Sequence, residues 1–271
     1  MKKMMAFVTA AIVFVVSGAF SVSAATAEAV VIDKSRVADG VISVTCTNKA
    51  EKKIKVRVEK DGTYYDYNLL KANETIDLPL QLGIGKYKIT VAENVSGTRY
   101  LVLKTETITV EQFDEKKVFT NSIQMVNFNG KMISIVELNK LVAELKTDRE
   151  KVDKIYQFIV DYFGYDFDKI NKVLANAAYL PIIDITYADK KGVCYDFASL
   201  FAAILRANNI PAKLDMGYFK LVGDAYHAWN EVLVDGEWVF IDTTYDAQAK
   251  QYKMVFEMKK DVADFKIVKQ Y

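Results

Sequence analysis

Gly192-Val193-Cys194-Tyr195-Asp196-Phe197-Ala198 opens a helical pattern in which Phe197, Leu200, Phe201, Ile204 and Leu205 share one face, and the pattern ends near Asn208-Asn209, before Pro211. Cys194 therefore falls at or within one residue of a helix N-terminus. Free amide groups and the helix dipole favour a thiolate there, and the same amides can hold an oxyanion. Gly192 leaves room for a substrate's backbone to come close.

Two more blocks lie downstream. Tyr226-His227-Ala228-Trp229-Asn230-Glu231-Val232 and Trp238-Val239-Phe240-Ile241-Asp242-Thr243-Thr244-Tyr245-Asp246 flank Asp235-Gly236, a two-residue hairpin turn between strand-like runs. Pairing Val234 with Glu237 and carrying the register down both strands sets His227 opposite Thr244 and Asp242 opposite Trp229. Side chains alternate with period two, so His227 and Asp242 share a face as diagonal neighbours, about 7–8 Å apart at the backbone. A slip of one residue would separate them. His227 is the one histidine of the chain, 33 residues after Cys194. Together the three residues supply a nucleophile, a base and an orienting acid, whose first product with an acyl donor, once its leaving group departs, is a thioester acyl-enzyme. Water as acceptor then gives hydrolysis, and an amine gives transamidation.

Each residue also has a plainer reading. Cys194 can be a buried core thiol or half of a disulfide with Cys46, and His227 a satisfied core or surface residue. Tyr226, Trp229 and Trp238 either line a cleft or belong to the core. With one histidine and two distant cysteines, a tetrahedral metal site lacks nitrogen and sulfur ligands, so no metal and no cofactor is expected.

Upstream, Thr147-Asp148-Arg149-Glu150 matches a capping box, and Val152, Ile155, Tyr156 and Ile159 form a stripe that predicts a helix over 148–163 with Gly164 as its stop. The stretch from Tyr165 to Lys191, with Pro181, reads as an irregular connection that walls the site. Further back the period is two. Ile42, Val44 and Cys46 alternate with Ser43, Thr45 and Thr47, and Ile54, Val56 and Val58 with Lys55, Arg57 and Glu59. Asp61-Gly62 signals a hairpin, and more strands are expected at 64–69, 86–92 and 105–110, with Gly83 and Gly85 in a turn. Such spacing fits a small antiparallel sandwich, in which Cys46 is a core thiol. The charged segment Asp114 to Lys117 joins the two parts.

The chain of 271 residues begins with Lys2 and Lys3, an uncharged apolar run from Met4 to Val16, and small residues through Val22-Ser23-Ala24 or Ala25-Thr26-Ala27. That order reads as a secretory signal peptide over 1–27, in preference to a retained anchor. Its removal leaves 34 basic residues against 35 acidic, a net charge of −1 with no basic face for nucleic acid. About 245 residues suffice for two domains, placed at 28–118 and 119–271. No later segment is apolar enough to span a bilayer, and the mature chain is expected outside the cell, released or associated with the cell surface.

The three blocks together resemble the signature of the transglutaminase-like (bacterial transglutaminase-core) family of cysteine enzymes, in the same order, and the likeness extends weakly upstream through Thr147 to Gly164-Tyr165-Asp166. It covers about half of the chain. The resemblance implies an α+β, papain-like fold, a central helix on an antiparallel sheet, here preceded by the all-β sandwich. It assigns nucleophile to Cys194, general base to His227 and orienting carboxylate to Asp242. Tyr187 and Gln157 are the candidates for the upstream side chain that completes the oxyanion hole, and Thr243 stands where the family's usual proline comes after the aspartate. The expected partner is a peptide, a protein or cell-wall peptide, cleaved or transamidated at an amide bond, with Gly192, Tyr226 and Trp229 contacting it. The alternative is a non-catalytic surface module that binds peptide in the same cleft.

Overall fold

The computed structural model describes residues 30–47, 52–69, 73–176 and 178–271. The expected signal peptide lies outside them. Contacts divide the chain into two compact units, one made largely of residues up to Phe113, the other of Asp114–Tyr271 together with Ala38–Val41 and Asp77–Gln81.

The chain up to Phe113 carries strands β1 (Val30–Asp33), β2 (Val41–Cys46), β3 (Ile54–Lys60), β4 (Thr63–Leu69), β5 (Thr75–Pro79), β6 (Gly85–Ser96) and β7 (Arg99–Val110). They form one sheet in the order β1-β2-β5 and a second, antiparallel, in the order β4-β3-β6-β7. The alternation read from the sequence is the alternation of burial: Val44 and Cys46, Val56 and Val58, Tyr65 and Tyr67 are buried, while their neighbours are half-buried or exposed. At Asp61-Gly62 both residues have positive φ, 49° and 80°, the turn whose twist suits a two-residue hairpin, and Lys60 pairs with Thr63 across it. β6 and β7 run well beyond the expected segments and form one long hairpin; β1 and β5 are each too short to show a clear period.

The second unit carries helices α1 (Glu115–Val118), α2 (Ile133–Val142) and α3 (Asp148–Tyr162), then the short strand β8 (Gly164–Tyr165). Next come α4 (Phe167–Ala175), α5 (Ile183–Asp189), β9 (Lys191–Gly192) and the central helix α6 (Cys194–Ala207). After them lie the sheet strands β10 (Ala212–Phe219), β11 (Tyr226–Val234) and β12 (Glu237–Ile241), then α7 (Thr243–Gln251) and β13 (Phe265–Gln270). The sheet order is β12-β11-β10-β13, antiparallel throughout. Every residue of α6 from Asp196 to Arg206 is buried, since the sheet, α2, α3, α5 and α7 pack around it. Arg206 is tolerated in that core because its guanidinium donates to the carbonyls of Ala212, Asn121 and Tyr271 at 2.8–2.9 Å. Asn230 makes the same kind of tie. Its amide donates to Ala198 O on α6 and Lys213 O on β10, at 3.0 and 2.9 Å, so it locks helix to sheet.

Two expectations are corrected here. The 165–191 stretch is not irregular: it holds α4 and α5, with Asp166 capping α4 through the amides of Asp168 and Lys169. Gly164 does not stop α3 as a left-handed cap. The helix ends because Phe163 is already extended (φ −107°, ψ 143°), and Gly164 continues as a strand paired with Lys191.

Candidate active site

Parallel pairing of β8 with β9 sets Tyr165 opposite Gly192, and Asp166 N–H donates to Gly192 O at 2.8 Å. Val193 then takes the N-cap position with extended backbone, and Cys194 is the first residue of α6. The helix start is held by Asp196. Its carboxylate, fully buried, accepts from Val193 N–H at 2.8 Å, from Lys169 Nζ at 2.8 Å and from the Tyr179 hydroxyl. Three donors offset the cost of burying this carboxylate. Gly192 is glycine for the same reason: a Cβ there would lie 2.7 Å from Asp196 Cβ. Its close approach within the fold is to Asp196.

Cys194 is a free, half-buried thiol, and Cys46 is free and buried in the strand-rich unit. His227 lies near the start of β11 and is buried, its ring flanked by Phe219 and Trp229 at centroid distances of 6.3 and 6.4 Å. Nε2 meets Asp242 Oδ2 at 2.6 Å, which leaves Nδ1 to exchange a proton with Cys194. Burial alone would disfavour the imidazolium. The Asp242 carboxylate and the Cys194 thiolate, both within charge and hydrogen-bonding reach, outweigh burial and push His227 up to about 10.

The hairpin register is the expected one: Val234 pairs with Glu237 and the ladder runs to Asn230 opposite Ile241. Asp235 and Gly236 both have positive φ, 55° and 84°. The ladder stops there, so the pairs His227–Thr244 and Asp242–Trp229 do not form. Asp242 instead caps α7, with Oδ1 accepting from Tyr245 N–H at 2.9 Å while Oδ2 holds the histidine. Thr243 is the first helical residue, the position at which a proline is also well suited.

The remaining residues singled out by the sequence separate. Trp229 is 1% exposed and packs between His227 and Phe265, so it backs the histidine and offers no surface to a substrate. Tyr226 is half-buried, edge-on to Tyr218 at 5.8 Å. Gln157 is exposed on α3 and bonds Asp161, and Tyr187 stacks on Phe158 and under Lys190, so neither is an oxyanion donor at Cys194. The phenol next to the thiol is Tyr165. Burial and the negative charges of Cys194, Asp196 and Asp166 raise it well above the ordinary tyrosine value, so it remains a donor. Sequence spacing gave no sign of this, because only the β8–β9 pairing brings residue 165 beside residue 194. Among the described residues no group of three or more His, Cys, Asp or Glu is arranged to hold a metal ion, and no helix is long and apolar enough to cross a membrane.

Residues 138–243 match the family model described as the transglutaminase-like superfamily. Human Kyphoscoliosis peptidase is 25% identical over 152 residues, 53% of this chain and 22% of that protein. UPF0252 protein MJ1282 of Methanocaldococcus jannaschii is 30% identical over 117 residues, 40% of this chain and 33% of that protein. The chain thus spans between a fifth and a third of the length of these relatives. A solved TGase structure superposes over 64% of this chain and 46% of that chain, with 21% identity and a TM-score of 0.34. The matched segment contains Cys194 at the head of its buried helix and His227 and Asp242 at the end of its hairpin. The likeness to the transglutaminase-like superfamily is thus carried by residues 138–243 of this chain.

Proposed function

We propose that the chain is a secreted cysteine-dependent hydrolase or acyltransferase acting on amide bonds of peptides, proteins or cell-wall peptide. One observation carries the reading: an imidazole held by a carboxylate at 2.6 Å, within reach of a half-buried thiol at the first residue of a helix. His227 takes the proton of Cys194, and the thiolate attacks the amide carbonyl. The C=O bond opens to a tetrahedral oxyanion, which the helix-terminal amide of Cys194 and the Tyr165 hydroxyl stabilise by donation. Collapse breaks the C–N bond as the imidazolium delivers its proton to the leaving amine, and a thioester remains on Cys194. Water, deprotonated by His227, or a second amine then takes the acyl group and regenerates the thiol. Asp242 keeps Nε2–H pointed at itself throughout, so that Nδ1 is the working nitrogen. Export rests on the order of Lys2, Lys3 and the apolar run from Met4 to Val16.

The test is acyl transfer from p-nitrophenyl acetate. The wild type is expected to release p-nitrophenol in a burst and to carry an acetyl group on Cys194 by mass spectrometry. Cys194→Ala should keep its circular dichroism and lose both signals; unchanged turnover in that variant, or acetyl found elsewhere, would sink the reading.

A further inference from the structure

The site has a third carboxylate that the acyl-transfer scheme does not use. Asp246 lies one turn beyond Asp242 on α7, joined to it by the helical bond Asp246 N–H to Asp242 O at 3.1 Å. Its side chain is wholly buried. Oδ1 accepts from Lys260 Nζ at 2.5 Å, and Oδ2 accepts from the Tyr156 hydroxyl of α3 at 2.8 Å. Lys260 is itself 7% exposed and donates also to Glu257 O, and its backbone amide is fixed to Phe240 O, in the strand that leads to Asp242. A lysine brought into the interior and neutralised by one carboxylate, directly behind the carboxylate that holds the histidine, is a costly arrangement for packing alone, since an apolar pair would cost less.

Resting on the acyl-transfer reading above, we propose that Asp246 and Lys260 form a charge-balanced positioning pair for His227, anchoring the first turn of α7 while adding no net charge to the field around the Asp242–His227 contact. Neither touches the reacting atoms. The ionisable groups brought to this end of α7 are Asp242 on the helix cap with His227 against it, Tyr245 on α7 with Lys260 Nζ 5.6 Å from its ring centroid, Tyr156 and Asp161 from α3, Tyr165 from β8, Cys194 from α6, and Lys260 itself. Asp161 is met by Lys250, whose side chain is 47% exposed, so that pair is screened by solvent. Lys260 is the one buried cation of the group apart from His227, so without Asp246 its charge would stand uncompensated behind Asp242. Burial, opposed by Lys260 and Tyr156, pushes Asp246 up to about 6, in keeping with a carboxylate dependent on its lysine.

Charge balance predicts something that packing does not. In Asp246→Asn the shape survives, Oδ1 still accepts from Lys260, and the amide nitrogen donates to the Tyr156 oxygen where the hydroxyl donated before, but Lys260 is left uncompensated. A bare cation favours the thiolate, so the pH at which Cys194 ionises moves down, by about one unit. Removing the cation as well, in Asp246→Asn with Lys260→Met, restores the balance and returns the curve toward its wild-type position. A role in packing alone makes the double variant worse than the single one and leaves the curve unmoved.

The experiment is the pH dependence of Cys194 alkylation by iodoacetamide in the wild type and these two variants, with circular dichroism of each. Alkylation reads the thiolate alone, so the wild type is expected to give one rising curve centred below the pH of an ordinary thiol. An acid shift in the single variant that reverses in the double one supports the pair. A wild-type curve that does not move in Asp246→Asn, or that moves and is not restored, overturns it and leaves the triad intact. A wild type that labels only at the pH of an ordinary thiol overturns both. Should Asp246→Asn fail to fold, Lys260→Met is read instead: the unbalanced carboxylate should move the curve to higher pH, and an unmoved curve overturns the proposal.

Discussion

The two units bury different things. Among the described residues of the strand-rich unit, Glu93 is the one buried ionic residue, and its carboxylate is met by Lys52 at 2.5 Å. The site-bearing unit buries Asp196, Arg206, Lys213, Asp215, His227, Glu231, Asp242 and Asp246. Burying charge costs free energy unless each group is paired, and an apolar substitute is often no worse for stability. The first unit is thus what alternating strands produce when only packing is asked of them. The second keeps buried ionic groups in hydrogen-bonded sets, and three of them, Asp196, His227 and Asp242, fix the helix start and the imidazole beside Cys194. Substitutions of polar groups should accordingly be nearly silent in the first unit and damaging in the second, in activity before stability.

The largest expected departure is at Asp242, which does two jobs with two oxygens. Asp242→Asn keeps an acceptor for Tyr245 N–H but presents its amide to Nε2, turning the imidazole to the wrong tautomer. Acyl transfer should fall about 10²–10⁴-fold with little loss of stability. Asp242→Ala should match that loss and also give up the cap, lowering unfolding free energy by roughly 0.5–2 kcal/mol. If Asp242→Asn retained full turnover, the buried charges would have to be structural after all.

A second difference should appear with pH. His227 is raised in the folded state to about 10 from an ordinary 6.5, so its contribution to stability is fully present below about pH 6.5 and is lost as pH rises through about 10. In the strand-rich unit Glu106 runs the other way: hydrogen bonding and charge from Lys34, with Lys104 nearby, hold it below the usual carboxylate range. Its contribution is present above that range and is lost on acidification. Denaturant unfolding of wild type and His227→Gln between about pH 6 and pH 10.5 should give curves that converge toward the alkaline end; a constant gap would contradict the assignment of the charge to His227.

The smallest effects set the scale of the contrast. Asn230→Ala removes the ties to Ala198 and Lys213 and should cost about 1–3 kcal/mol. Lys34→Met, which breaks a surface pair with Glu106, should cost about 0–1 kcal/mol. Equal losses would mean that the two units do not differ as argued. Urea denaturation of both variants decides it.

The same division explains what could be read from the sequence. Alternation with one face buried is directly visible, so β2, β3 and β4 and the Asp61-Gly62 turn were legible. So was α6, because its apolar spacing matches a helix and Gly192 and Pro211 bracket it. The Asp235-Gly236 turn gave the true register up to Ile241 and so the meeting of His227 with Asp242. The exit from that strand was not legible: Thr243 to Gln251 has little apolar periodicity, and its helix is specified by the Asp242 cap and by the buried ionic contacts of Asp246. With that helix in view, the four-residue step from Asp242 to Asp246 would have signalled a shared face. α4 was legible and overlooked: Phe167, Ile170, Val173 and Leu174 recur at helical spacing behind the Asp166 cap. Tyr165 was not, because a two-residue strand pairing leaves no pattern. Trp229 stayed open between cleft and core, since an aromatic beside a histidine on a strand reads alike whether it lines a cleft or backs the ring.

The central claim is that Cys194 is made reactive by His227, and alkylation reads it directly. Purified protein would be treated with iodoacetamide between pH 5 and 8, with the adduct located by mass spectrometry and His227→Ala as the control. The account predicts rapid labelling at Cys194 already at the acid end, slowed markedly in the control. Labelling at the rate of an ordinary thiol, indifferent to the loss of His227, would contradict it.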